Sequence, residues 1–267
     1  MTWTMLLALA GMGVVAGILA GLLGVGGGLI LVPVLVWVME GSGMTQDVQH
    51  LALGTSLAVM VFTSFASVRA HHQHGAVDWG IVRRFAPPIV LGTLLGTQVA
   101  GWLPSRELRW FFVLYAYVIA VQMLLDAKPK GGRALPGVLG LSGVGGLIGL
   151  ISSFVGIGGG SMSVPFMTWC NVPMQRAIAT SAALGWPIAL SGTLGYMLSG
   201  WGRTGLPAYS AGFVYLPAVA TLCLITMRTA PIGARLAHRL PVAKLKKAFA
   251  GVMILTATQL LWKLLHG

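Results

Sequence analysis

Two stretches of this 267-residue chain stay uncharged for longer than one membrane crossing requires: no Asp, Glu, Lys or Arg occurs from Met1 to Met39 or from Ala134 to Gln175. An α-helix spans the hydrocarbon core with about 20 residues, so each stretch is too long for one span and short for two with a loop. Both are broken in the middle by the same pattern, Gly24-Val25-Gly26-Gly27-Gly28 and Gly156-Ile157-Gly158-Gly159-Gly160. Shorter uncharged segments follow each: Val48–Val68, Phe85–Ser105 and Trp110–Leu125, then Ala177–Gly202, Thr204–Met227 and Ala248–Trp262. Only 8% of the residues are charged, against 56% hydrophobic, whereas soluble domains carry about a quarter charged residues. The composition excludes an ordinary soluble enzyme and predicts an all-α integral membrane protein, with the lipid bilayer as its first partner. The net charge of +12 does not point to nucleic acid, because the basic residues form short clusters without an aromatic-studded basic surface. Cys170 and Cys223 lack metal-ligand spacing and read as small apolar residues; no metal or cofactor motif is found. Met1–Thr4 carries no Lys or Arg, so the first apolar stretch reads as retained rather than as a signal peptide.

The pattern occurs twice. Gly17, Gly24, Gly26, Gly27, Gly28, Val32 and Pro33 recur at an offset of 132 as Gly149, Gly156, Gly158, Gly159, Gly160, Val164 and Pro165. Ala52, Thr55, Ser56, Ala58 and Gly75 recur at an offset of 125 as Ala177, Thr180, Ser181, Ala183 and Gly200. Gly96, Ala100, Leu103, Pro104, Leu108, Phe112 and Gln122 recur at 137 as Gly233, Ala237, Leu240, Pro241, Leu245, Phe249 and Gln259. Changing offsets mean insertions and deletions in loops while the elements persist. The chain therefore divides into a first repeat, 1–126, a hydrophilic linker, 127–136, and a second repeat, 137–267.

Charge orients these repeats. With about five segments per repeat and a cytoplasmic linker, the inner loops hold Arg69, Arg83, Arg84, Lys128, Lys130, Arg133, Arg176, Arg235, Arg239, Lys244, Lys246 and Lys247. The outer loops hold only Arg106, Arg109, Arg203 and Lys263. Four crossings per repeat would nearly balance the two sides. The expected fold is two inverted-topology repeats of about five segments each, with glycine-broken helices at the repeat interface; the short segments Leu29–Met39 and Ser161–Trp169 either cross or re-enter.

Consecutive glycines in a bilayer free backbone amides that must find partners, so such breaks survive only when buried or lining a polar cavity. A helix starting just after the break aims its unbonded N–H groups and positive dipole end into that cavity, a geometry that suits an anion. The competing reading is close helix packing; two copies, each followed by Val-Pro, favour a site. The substrate-binding candidates are Gly26, Gly27, Gly28, Gly158, Gly159, Gly160 and Ser161, with the hydroxyls of Thr55, Ser56, Thr180 and Ser181. Those hydroxyls either donate to an oxyanion or bond back to their own helix carbonyls. Ser152, Ser153, Ser161 and Ser163 make the second break the more polar. Arg228 lies within an apolar span, where a cation is costly unless it snorkels or meets a counter-charge; a substrate anion and the inner interface are its two candidate partners. Gln122 and Gln259 read as helix-joining amides. The five acids, Glu40, Asp47, Asp78, Glu107 and Asp126, all fall at segment ends or in loops, which disfavours proton antiport through a buried carboxylate. His71-His72-Gln73-His74 reads as a solvated cytoplasmic loop rather than a metal site.

Together, the paired G-x-G-G-G segments followed by Val-Pro, the A-x-x-T-S segments and the Gly-x-x-x-Ala-x-x-Leu-Pro stretch before the last helix resemble the TauE/SafE-type sulfite exporter family. The resemblance runs from about Gly17 to Leu261. It implies export of small sulfur-containing anions such as sulfite, sulfoacetate and related organosulfonates. The second copy departs at Ala179, where the first has Gly54, and Arg228 is outside the family pattern. The leading expectation is a secondary transporter of a small anion in a bacterial inner membrane, working by alternating access around the glycine breaks, alone or as a homo-oligomer. A passive anion channel is the alternative. An intramembrane hydrolase using Ser161 or Ser163 is weaker, because all six histidines are peripheral and no span places a Lys beside those serines. No G-x-x-x-x-G-K-[ST] occurs, so nothing in the chain drives an ATP pump.

The topology is testable. In a Cys170→Ser/Cys223→Ser background, Thr2→Cys should react with an impermeant maleimide from the outer side and Leu245→Cys should not. Equal labelling of both would rule out the inverted arrangement.

Overall fold

The computed structural model describes residues 10–11, 13–18, 27–125, 132, 134–237 and 242–266. Most of the linker 127–136 lies outside them. The described elements are α1 (Gly28–Gly41), α2 (Val48–Gln73), α3 (Trp79–Trp102), α4 (Ser105–Leu124), α5 (Val138–Val155), α6 (Gly160–Trp169), α7 (Met174–Ser199), the two-residue strands β1 (Ser210–Ala211) and β2 (Val214–Tyr215), α8 (Leu216–Ala237) and α9 (Val242–His266). Residues 13–18 are also helical and precede the first break. Five helices are long and apolar enough to cross a membrane, namely α2, α4, α5, α7 and α8 through Gly233. Their outward side chains are apolar, with Leu114, Leu147, Leu198 and Leu224 all exposed, as are Leu95 on α3 and Leu255 on α9. A soluble domain does not present so wide an apolar surface to water; the chain is a multi-pass, all-α membrane protein.

Helix–helix contacts repeat between the halves at residues already matched by offset. Helix α5 packs into α3, where a Cβ at Gly149 would overlap the Ile89 carbonyl and one at Gly96 would strike the Leu150 carbonyl. Residues 13–18 pack into α8 in the same way: a Cβ at Gly17 would overlap the Thr229 hydroxyl and lie 3.2 Å from the Thr226 carbonyl, and one at Gly233 would strike the Ile18 carbonyl. Ile89 and Thr226 are related by the offset of 137, and Ile18 and Leu150 by the offset of 132. Without lipid-excluding pressure between helices, such backbone-to-backbone approach is what holds membrane helices together. The innermost pair is α2 against α7, both heavily buried.

Two expectations are revised. The uncharged stretch Thr204–Met227 is not one span: Gly202, Gly205 and Gly212 take positive φ, β1 pairs antiparallel with β2, and α8 begins only at Leu216. Apolar composition cannot keep a helix through glycines that hold left-handed conformations. The resulting hairpin falls in the part of the chain where the repeat offset grows from 125 to 137. It plugs one end of the helix bundle, with Phe213 fully buried, stacked 4.7 Å from the His50 ring and donating its N–H to the Tyr196 carbonyl. The histidine run is not a loop either, because α2 continues through Gln73 and buries His71.

Gly149→Val should lower the melting temperature of the detergent-solubilised protein, with a cost of about 1–3 kcal/mol for overpacking. Gly143→Val on the same helix, where a Cβ meets nothing within 4 Å, should change it little.

Candidate functional site

Each glycine break ends in a helix start. Gly27 precedes α1 with φ 78° and Gly159 precedes α6 with φ 72°, a left-handed conformation that glycine adopts at little cost. Their carbonyls accept the first helical bonds, from Ile30 and Leu31 N–H at Gly27 and from Met162 and Ser163 N–H at Gly159. Neither start has a side-chain cap. The first-turn amides of both helices therefore keep donors without an intrahelical acceptor, and each N-terminus carries the positive end of a helix dipole. Pro33 and Pro165 sit at the same register inside the two helices, where a missing N–H leaves the carbonyls of Leu29 and Ser161 without their usual partner.

The two breaks touch. A Cβ on Gly28 would overlap the Gly156 carbonyl and lie 3.0 Å from the Ile157 Cα, so only hydrogen at position 28 lets the two backbone segments cross. Ser56 Oγ donates to that same Gly156 carbonyl at 2.9 Å and shares its proton with the Leu53 carbonyl at 3.2 Å. Besides bonding back to its own helix, this hydroxyl therefore takes the opposite glycine break as a partner.

Thr55 and Thr180 form a matched pair of a different kind. Thr55 Oγ1 accepts from the Tyr215 N–H at 3.0 Å, and Thr180 Oγ1 accepts from the Asp78 N–H at 3.0 Å. Asp78 and Tyr215 are themselves related by the offset of 137, and each stands immediately before a helix, α3 or α8. Each threonine therefore ties the other half's backbone at a helix start.

Around the second break lie further hydroxyls. Ser161 Oγ and Tyr115 Oη share a hydrogen bond of 2.5 Å, Ser163 Oγ donates to Ser181 Oγ at 3.0 Å, and Ser152 Oγ, fully buried, has no hydrogen-bond partner. A Cβ added to Gly159 would come within 3.4 Å of that Ser152 oxygen and 2.6 Å of the Ile188 side chain, which places the orphan hydroxyl against the left-handed glycine. Leu29 and Leu31 occupy the positions in α1 that Ser161 and Ser163 hold in α6, so the hydroxyls concentrate on one of two similar backbone frames. No Asp, Glu, Lys or Arg among the described residues is buried. The centre is built from amides, dipoles and hydroxyls, without a formal charge.

Of the sequence-derived candidates, Gly27, Gly28, Ser56, Gly158, Gly159, Gly160, Ser161 and Ser181 come together at or beside the crossing, all of them buried. Thr55 and Thr180 face the helix starts just described. Gly26 lies outside the described residues. Arg228 is exposed on α8 and is not brought to the crossing: the face of α8 that packs inward carries Leu222, Thr226 and Gly233 instead. Sequence reasoning passed over Tyr115 and the fully buried Tyr196, whose hydroxyl donates to the Ser153 carbonyl at 2.9 Å. The signal that could have found them was chemical: a tyrosine hydroxyl inside an apolar span needs a partner.

Comparison with known proteins follows the same lines. Residues 9–260 match the family model described as Sulfite exporter TauE/SafE. A "Probable membrane transporter protein" of Haemophilus influenzae is 37% identical over 257 residues, covering 94% of this chain and 96% of its own. The Bacillus subtilis protein YunE, given the same description, is 28% identical over 71% of this chain and 77% of its own. Methanocaldococcus jannaschii has a similar protein, MJ0441, 23% identical over 90% of each chain. No solved structure matches the chain at significant similarity.

The glycine roles separate by substitution. Gly28→Ala, at an ordinary φ, should lower thermal stability because its methyl meets the Gly156 carbonyl. Gly27→Ala and Gly159→Ala should also lose some stability, from the left-handed φ at both and the Ile188 contact at Gly159, but should in addition weaken anion binding of the protein that purifies folded. Loss of two donors to a charged ligand costs about 3–6 kcal/mol, at roughly 1.5–3 kcal/mol each. Melting temperature and calorimetric anion affinity measured on the same variants decide it, and unchanged affinity in both would remove the breaks from the site.

Proposed function

The chain belongs to the sulfite exporter TauE/SafE family of membrane transporters, and on that premise we propose that it is a secondary transporter exporting small oxyanions. Sulfite or an organosulfonate such as sulfoacetate is the substrate, a bacterial inner membrane the setting, and alternating access at the paired glycine breaks the mechanism. The observation that carries this reading is the convergence of two uncapped helix N-termini, at Gly27 and Gly159, in a buried region lined by hydroxyls and free of formal charge among the described residues. Each N-terminus is equivalent to roughly half an elementary positive charge. Two of them oppose about one negative charge, which offsets hydrogen sulfite or a monosulfonate and leaves the second charge of a dianion, sulfoacetate or sulfate, to the surrounding hydroxyls.

The halves 1–126 and 137–267 act as inverted repeats about a cytoplasmic linker, 127–136. Support comes from the glycine contacts that recur at matched positions and from the sidedness of the basic residues. Bonds that cross between the halves, Ser56 to Gly156, Tyr215 to Thr55 and Asp78 to Thr180, are the contacts a rocking motion exchanges. Binding selectivity then comes from the second break, where Ser152, Ser161 and Ser163 add hydroxyls that the first break lacks.

Purified protein reconstituted into liposomes should take up radiolabelled sulfite or sulfoacetate and show counterflow, stimulated by unlabelled substrate on the opposite side. Monoanionic sulfonates should compete better than sulfate. Flux without counterflow identifies a channel instead, and absence of both flux and thermal stabilisation across sulfite, thiosulfate, sulfoacetate, isethionate, taurine and lactate would sink the anion assignment.

A further inference from the structure

The charged residues of the two membrane faces are treated differently by the fold. On the face bearing few cations, Arg109 and Lys263 both close on Glu40, at 2.8 Å and 2.6 Å, Arg203 lies 3.9 Å from Asp47, and Arg106 is exposed. On the other face, Arg69, Arg83, Arg84, Arg176, Arg228, Arg235 and Lys247 are exposed, and none of them has a carboxylate within ion-pair distance among the described residues. Most of these stand at helix ends, where water and head groups meet them. Arg228 does not: it lies inside the apolar span Leu216–Gly233.

Its position on α8 is well defined. The face carrying Leu222, Thr226 and Gly233 packs against residues 13–18 and α2, with Thr63 donating to Thr226 at 2.8 Å. The opposite face carries Leu224, Arg228, Ile232 and Arg235, all exposed. At about 100° per residue, Arg228 and Arg235 fall within about 20° of each other around the helix. Helical side chains lean toward the N-terminus, so Arg235 reaches back toward the level of Arg228, which lies about 10 Å away along the axis. A cation flanked by leucine and isoleucine on a lipid-facing stripe has only lipid to neutralise it, and two guanidinium groups favour bidentate phosphate recognition.

We propose that Arg228 and Arg235 form a binding site for the phosphate of an anionic phospholipid on the lipid-facing side of α8. The lipid's acyl chains lie along Leu224 and Ile232, and the phosphate is drawn inward to Arg228. This assignment is independent of what the glycine breaks carry. It gives Arg228 a counter-charge that the interior of the protein does not provide.

The test uses full-length protein, delipidated in neutral detergent, with phosphatidylglycerol, phosphatidylcholine and inorganic phosphate as separate probes. Native mass spectrometry should show retained phosphatidylglycerol, and its addition should raise the melting temperature, while phosphatidylcholine and phosphate should do neither. Arg228→Gln and Arg235→Gln should each reduce phosphatidylglycerol retention about fivefold, at about 1 kcal/mol per basic residue near an anionic lipid surface. Arg228→Lys, which keeps the charge but not the bidentate fork, should fall between wild type and Arg228→Gln and serves if the glutamine variant does not fold. Arg83→Gln/Arg84→Gln should leave retention intact. The site is overturned if retention survives Arg228→Gln/Arg235→Gln, if inorganic phosphate stabilises as well as the lipid, or if the Arg83/Arg84 pair reduces retention equally. A change in oligomer mass instead of lipid content would also overturn it, assigning the face to a second copy of the chain.

Discussion

Backbone polar groups have no water to turn to inside a bilayer, and the whole of this structure is arranged around that constraint. A continuous helix answers it alone; an interrupted helix must borrow partners from elsewhere. Here the partner comes from the other half of the chain. The Gly156 carbonyl, released at the second break, accepts from Ser56 on α2 and lies against Gly28 of the first break. The carbonyl freed at the second break is thus covered by the first half of the chain. Thr55 and Thr180 extend the same logic to the starts of α8 and α3.

Such crossings need backbones closer than side chains normally allow. Glycine supplies the room at Gly28, Gly96, Gly149 and Gly233, each facing a carbonyl of another segment. The consequence for chemistry is a centre with strong dipoles and no fixed charge. On the proposed reading an ion is attracted there and still leaves, because no buried Lys or Arg among the described residues holds it. Transport requires that balance, since a site that binds too tightly does not turn over.

Apart from Arg228, which lies inside the span Leu216–Gly233, the formal charges of the described residues are kept to the rims. Glu40 is shared by Arg109 and Lys263, joining α1, α4 and α9 at one end of the bundle. At the other end the exposed cations have no protein counter-charge among the described residues, and the surrounding membrane supplies the negative surface. The hairpin with Phe213 wedges against His50, which is itself held by the Ala100 carbonyl and Ser105 at 3.0 Å each.

Helical membrane architecture and the location of the special backbone were legible in the chain, because each depends on local properties: hydropathy over the length of one span and glycine clusters. Gly27 and Gly159 could be singled out for the same reason, since a left-handed glycine is a local conformation. What the hydroxyls do was not legible. Thr55 and Ser56 are neighbours with similar chemistry, yet one accepts from the backbone amide of Tyr215 and the other donates to the carbonyl of Gly156, both in the other half of the chain. Nor could the sequence place Arg228, whose position in an apolar span is compatible with a central site or a lipid face; the packing of Thr226 and Gly233 turned it outward. The local conformation of a chain follows from its neighbours along the backbone, but the partner of a hydroxyl or a guanidinium is set by which helix face is covered, and only tertiary packing decides that.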